Sequence, residues 1–171
     1  MFRPESTDGV VELVRSGGCD AGFMWAATVP DDLDGVPVFV EPSVVVVPEG
    51  HRLAAQRSVR IADLRGERVV APLATSTMRP VFDALFRRNG VKPEVVAEAA
   101  TGEMVLELVR AGVGCTVTFA SSAAAVVGRG ALALGIVDQP ANTFLLVTRT
   151  RQSPTPAARA FCDLAVQRFA P

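Results

Sequence analysis

Short apolar runs alternate along the chain with longer segments whose apolar residues recur every three or four positions. The runs at 20–25, 36–41, 43–47, 67–71, 94–99, 113–119, 131–137 and 143–149 predict short, buried strands. Between them, Val81, Phe82, Leu85 and Phe86 fall on one face of a helix reaching Arg88, opened by Thr75-Ser76-Thr77 and closed by Asn89-Gly90. Thr101 is placed to cap a second helix, carrying Val105, Leu106, Leu108 and Val109 and stopping at Gly112. A last helix opens at Thr155-Pro156, where proline is tolerated, and runs to Phe169. Asp63 to Gly66 has the composition of a single helical turn. Strands separated by helices predict an α/β fold with largely parallel strand pairing.

The pattern also repeats. Val10-Val11-Glu12-Leu13-Val14-Arg15-Ser16-Gly17 returns as Val105-Leu106-Glu107-Leu108-Val109-Arg110-Ala111-Gly112, at a constant offset of 95 and with six of eight positions identical. The same offset pairs Ser6 with Thr101 and Asp8 with Glu103, in each case a capping residue and a first-turn acid. Chance similarity of amphipathic helices is the plainer explanation of such an echo. The shared caps and the shared glycine favour one helix–strand unit used twice, once in each of two lobes. In the second lobe this unit is preceded by strand 67–71 and helix 77–88, whose counterparts in the first would fall before Met1. The first lobe is therefore expected to be incomplete, its opening unit lying upstream or its place being taken by another copy.

Charge and composition narrow the classes of function. With 17 basic and 18 acidic residues the net charge is −1, which gives no long-range attraction to nucleic acid or to an anionic membrane. Lys92 is the only lysine, and the arginines are scattered among acids rather than gathered for phosphate. No apolar run is long enough to span a bilayer, and the first residues lack the basic-then-apolar order of a secretory leader. Three widely spaced cysteines, Cys19, Cys115 and Cys162, predict reduced thiols packed as small hydrophobes. A cytoplasmic protein is expected.

The candidate chemistry is sparse. His51 is the only histidine, which removes His-rich metal sites and most triads, and its turn Pro48-Glu49-Gly50-His51-Arg52 predicts an exposed ring. There is no GxSxG, P-loop or GxGxxG, and Asp31, Asp32 and Asp34 read as a solvated turn. No catalytic residue, metal or cofactor is expected. Hydroxyl residues instead gather where strands hand over to helices: Ser6-Thr7, Thr75-Ser76-Thr77, Thr101 and Ser121-Ser122. Capping alone accounts for any one of these. Several helix N-termini facing one crevice would hold a small organic anion through N–H groups and hydroxyls.

Four segments carry a family resemblance. Leu13-Val14-Arg15-Ser16-Gly17-Gly18-Cys19-Asp20 looks like an L-x-x-G-x-x-D element. Pro48-Glu49-Gly50-His51-Arg52-Leu53-Ala54 is similar to P-x-G-H-P-L-A, with Arg52 in place of proline. Asp63-Leu64-Arg65-Gly66-Glu67 matches DL-x-G-E, and Leu108 to Gly114 matches LV-x-x-G-x-G. With these in order, the chain resembles the effector-binding domain of LysR-type transcriptional regulators. The resemblance implies the fold of type-2 periplasmic binding proteins, two α/β lobes joined by two crossover strands. Residues 1–43 and 145–171 would form lobe I and 44–144 lobe II. It implies effector contacts at Ser6, Thr7, Thr75, Ser76 and Thr77 in the cleft between the lobes, with Thr101 and Phe119 nearby. Trp25 would be either a cleft wall or a core tryptophan. It further implies a small-molecule effector, a homo-oligomer such as a dimer, and contact with DNA only through an N-terminal domain outside this sequence. The sequence departs from the family in lacking the first strand–helix unit, and in Thr118-Phe119-Ala120, which stands where an LLP often follows. A solute-binding module and an enzyme on the same fold are the alternatives.

Overall fold

The computed structural model describes residues 5–25, 29–76, 78–137, 139, 141–150 and 155–169. The chain falls into two compact units, Met1–Glu41 with Ala141–Pro171, and Pro42–Pro140. In chain order the first unit opens with α1 (Thr7–Ser16), β1 (Ala21–Trp25) and β2 (Leu33–Glu41). The second contains β3 (Ser43–Pro48), β4 (Ser58–Val59), a 3-10 turn at Ile61–Leu64, β5 (Arg68–Pro72) and α2 (Arg79–Arg88). It continues with β6 (Glu94–Ala99), α3 (Gly102–Arg110), β7 (Thr116–Phe119), α4 (Ala120–Ala123) and β8 (Ala131–Ile136). The first unit resumes with β9 (Asn142–Arg149) and α5 (Pro156–Phe169).

The first unit is a sheet of order β1-β9-β2 with a helix on each face. Alternation along β9 sorts its side chains: Leu145 and Val147 bury with Val11 and Val14 of α1, while Leu146 buries with Val38 and Ala165 of α5. In the second unit the sheets β4-β8-β3-β7 and β5-β6 meet through a bridge between Val69 and Cys115. There the Val70 N–H donates to the Cys115 carbonyl and the Cys115 N–H to the Arg68 carbonyl, both at 2.8 Å. The resulting order is β6-β5-β7-β3-β8-β4. Val45 and Val47 of β3 face Leu53, Ile61, Leu64, Phe82 and Phe86. Val44 and Val46 face Val105, Leu106, Val109 and Ala123 on the other side. Both faces of the sheet are covered by helices, which is why β3 is an unbroken apolar run.

The expected parallel pairing does not hold for most ladders. β5 with β6 and β4 with β8 are parallel, but β3 pairs antiparallel with β7 and β8, and β9 does so with β1 and β2. The reason lies in the connections. Parallel neighbours need a long crossover, and β7 and β8, joined through α4, run the same way but leave a slot between them. β3 enters that slot directly from β2, with Pro42 alone between them, and so runs against its neighbours. β9 fills the equivalent slot between β1 and β2.

Three local expectations also change. α2 begins at Arg79, with Met78 at its N-cap and no side-chain cap, and Pro80 sits in its first turn where a missing N–H costs nothing. Ser76 acts one step earlier, its Oγ accepting from the Met78 N–H at 3.2 Å. Ser121 and Ser122 lie inside α4 rather than capping it; Phe119 holds the N-cap position without a side-chain bond. His51 is not exposed: its side chain is 12% accessible and Nε2 lies 3.0 Å from Glu67 Oε2. His51 Nδ1 accepts the Leu53 N–H at 3.2 Å, and Arg52 reaches both Glu67 and, at 2.6 Å, the Asp63 carbonyl. The turn is thus tied to Glu67, the residue just before β5. Among the described residues no helix is long and apolar enough to cross a membrane.

Candidate functional site

In the second unit β5 and β6 end in register, Pro72 opposite Ala99, and β7 ends at Phe119 opposite Ser43. At these carboxyl ends the chain turns towards α2, α3 and α4, so backbone N–H groups of the helix starts face the same edge. A cavity of about 160 Å³ opens there. Met78, Val81, Phe82 and Leu85 of the α2 segment form one wall, with Val105 of α3 and Val117 and Phe119 of β7. The polar residues among its lining are Ser43, Ser76, Thr101, Thr116, Thr118 and Ser122. Among the described residues lining it, none carries a charge.

The polar groups are organised by their own hydrogen bonds. Thr101 caps α3, its Oγ1 accepting from the Met104 N–H at 3.3 Å. The carboxylate of Glu103 is held below the usual range by its own backbone N–H, and further by the Thr101 hydroxyl. Thr116, 1% exposed, donates its hydroxyl proton to the Val70 carbonyl at 2.8 Å. Beside the cavity, Arg79 Nη1 donates to the Pro72 carbonyl at 2.9 Å and to Glu98 at 2.6 Å, while its Nε donates to Asp83 at 3.0 Å. Those bonds, to Glu98 first, hold its guanidinium further into the charged form. This cation is already matched by two carboxylates. No group of three His, Cys, Asp or Glu side chains among the described residues could hold a metal ion.

Of the residues singled out from the sequence, Ser76, Thr101, Phe119 and Ser122 come together on this cavity. Thr75 is exposed in the preceding turn and does not line it, and Thr77 lies outside the described residues. Ser6, Thr7 and Trp25 belong to the first unit. There Ser6 Oγ accepts from the Gly9 N–H at 3.2 Å as the cap of α1, and Thr7 Oγ1 donates to the Trp25 carbonyl at 3.4 Å. The Trp25 ring packs 4.6 Å from Phe144 and 5.4 Å from Phe39, within a cluster that also holds Phe23 and Phe161. Sequence reasoning missed Thr116, Thr118 and the α2 wall. The alternation of hydroxyl and apolar residues at 116–119 was the available signal, since an i, i+2 pair shares one face of a strand.

The LysR substrate binding domain family model matches residues 2–170. The chain belongs to this family. The Hca operon transcriptional activator HcaR of Escherichia coli K12 is 30% identical over 129 residues, which are 68% of this chain and 44% of that protein. The LysR-type chain spans about half the length of the curated relatives it matches. Among solved structures, the effector binding domain of QuiR in complex with shikimate has a TM-score of 0.73 at 23% identity, covering 96% of this chain and 78% of that one. The BenM effector binding domain with its effector benzoate has a TM-score of 0.74 at 19% identity, covering 97% and 76%. These likenesses show the fold, which is the type-2 periplasmic-binding-protein class expected from the sequence. The curated relatives named for a function are regulators of transcription.

Proposed function

We propose that this LysR-type domain senses a small organic effector, held in the cavity where β5, β6 and β7 end, and that the protein works in the cytoplasm. The carrying observation is the composition of that cavity: an apolar wall with hydroxyl residues and helix starts around it and, among the described residues lining it, no titratable side chain. This is the make-up of a binding site, where a few polar groups fix orientation and apolar surface supplies affinity. Ser76, Thr101 and Phe119 are the contacts the sequence named, joined by Thr116, Thr118 and the α2 wall. Three neighbours with named ligands hold shikimate, benzoate and 2-PG, the first two of them small organic acids. In the same reading the two compact units serve as the two lobes. Effector binding then favours one arrangement of a homo-oligomer, and a DNA-binding domain outside this sequence reads the change. Such relay requires unequal affinity for the two arrangements, whatever the absolute affinity.

The test is calorimetry with benzoate and shikimate on the wild-type chain and on Val81→Trp. Val81 is 40% exposed on the cavity wall, so tryptophan there fills the space without displacing core. At least one acid should bind the wild-type chain, and Val81→Trp should abolish that binding at an unchanged melting temperature. Equal affinity in the two proteins would remove the cavity from the model.

A further inference from the structure

We propose that α2 is the lever that carries occupancy of the cavity to the point where the chain leaves the second unit. Arg79 is its pivot, and a side-chain clasp of Asn89, Gln139 and Arg88 at its far end senses its position. The proposal rests on the reading that the effector occupies this cavity, and goes on to say how that site is regulated.

One run of hydrogen bonds leads from the cavity wall to the clasp. Leu85 lines the cavity, and its carbonyl accepts from the Asn89 side-chain amide at 2.8 Å. Asn89 Oδ1 in turn accepts from Gln139 Nε2 at 3.3 Å. Gln139 Oε1 accepts from Arg88 Nη2 at 2.9 Å. Both ends of the Gln139 amide are therefore held by the last residue of α2 and by its C-cap. Gln139 is 50 and 51 positions from these partners, so the clasp is a tertiary contact and not the helix capping itself. It lies two positions before Ala141, where the chain returns to the first unit.

The start of α2 is fixed in another way. It has no side-chain cap; Arg79, its first residue, instead donates to the carbonyl of Pro72 at the end of β5 and to Glu98 of β6. Between these two ends Phe82 and Phe86 are buried with Ile61 and Leu64, their rings 4.8 Å apart. A helix packed so tightly shifts as a body. The cavity runs along its side, walled by Val81, Phe82 and Leu85, and Val81 is 40% exposed there. Leaning α2 about Arg79 into the cavity would bury that apolar surface. The clasp opposes the lean from the far end, and a ligand in the cavity opposes it from the side. Both favour the same position of α2, so each strengthens the other by linkage.

The experiment is calorimetry with benzoate and shikimate on the full chain, comparing the wild type with Gln139→Met, Arg88→Met, the double variant and Val81→Trp. Neither Gln139 nor Arg88 lines the cavity. Gln139→Met, which keeps the length of the side chain and removes its amide, should still weaken the acid that binds by about fivefold, the lower end of ordinary coupling between sites. Arg88→Met leaves the bond from Gln139 to Asn89 and should cost less. The double variant should match Gln139→Met alone, since both changes act through one side chain. By NMR, the side-chain amide signals of Gln139 and Asn89 should move when the acid is added to the wild-type chain. Should Gln139→Met fold poorly, those signals and Arg88→Met decide. If the clasp variants bind as the wild type does, or the amide signals stay in place on binding, while Val81→Trp still blocks the acid, the lever is overturned and the effector site stands. If Val81→Trp binds both acids as the wild type does, or neither acid binds the wild type, the effector-site reading fails and the proposal with it.

Discussion

Gly17 and Gly112, 95 positions apart, close their helices in the same left-handed conformation, with φ of 78° and 81°. At the other ends of those helices, Ser6 and Thr101 each accept from the N–H three residues on, at 3.2 and 3.3 Å. Each helix is followed by the strand beside a crossover strand, β1 next to β9 and β7 next to β3. The internal echo is thus structural at both ends of the helix, in the cap that starts it and the glycine that stops it.

Replacing Gly112 tests that role cleanly, because a Cβ added there would meet nothing within 4 Å. Gly112→Ala should cost about 1 kcal/mol, the strain of a side chain in the left-handed region, seen as a lower urea midpoint with unchanged slope. Gly114→Ala should be far worse, about 3 kcal/mol. A Cβ there would lie 2.5 Å from the Arg68 carbonyl oxygen, which is backbone and cannot step aside without parting β5 from β7. A milder effect at 114 than at 112 would contradict the close approach of these strands.

Much of this was legible in the sequence because it was local. Ser6, Thr101, Gly17 and Gly112 declare helix ends through their own chemistry, and the apolar runs at 43–47 and 143–149 declare buried strands. Strand direction was not local: that β3 and β9 run against their neighbours depends on which slot a distant crossover leaves open. His51 illustrates the same limit, since its turn composition says exposed and only the folding back of Glu67 buries it. Half of the cavity's polar lining was visible as hydroxyls before helices. Thr116 was hidden because a threonine inside a strand looks like any β-former until the neighbouring Val70 carbonyl is seen beneath it.

The contact of His51 with Glu67 predicts a shared cost. His51→Ala removes the acceptor of the Leu53 N–H and a partner of a carboxylate only 17% exposed. A loss of about 1–2 kcal/mol in chemical denaturation is expected. Glu67→Gln, which keeps a hydrogen-bonding group in place, should lose less. The double variant should cost less than the sum of the two, as for any pair in direct contact. Strict additivity would separate them.

Arg15 and Asp32 form a two-bond pair in the first unit, at 2.5 and 2.7 Å. The hydrogen bond from Arg15 holds the Asp32 carboxyl below its ordinary 3.8. A depressed folded-state value means the stabilisation is present above the ordinary value and is lost as pH falls through the folded one. Carboxyl titration by NMR should place Asp32 below 3.8, and Arg15→Leu should return it upward. High salt should shrink the difference, because both side chains are about half exposed.

Cys115 offers the sharpest probe of the junction between β5 and β7. Its side chain is fully buried, and burial, assisted by the nearby Glu67 carboxylate, pushes the thiol up to about 12. At pH 8 the reactive thiolate is then about one part in ten thousand, and the reagent has no path to it. Iodoacetamide should therefore leave Cys115 unmodified in the native chain, with labelling confined to the half-buried Cys19 and Cys162. Burial raises the Cys162 thiol as well, so its labelling should be slow. In denaturant all three should react alike. Mass spectrometry of tryptic peptides across a urea series should show Cys115 labelling rise with the global unfolding transition, since the backbone bonds on both sides of it join the two sheets. Labelling of Cys115 well below that transition would mean that β5 and β6 open from β7 on their own.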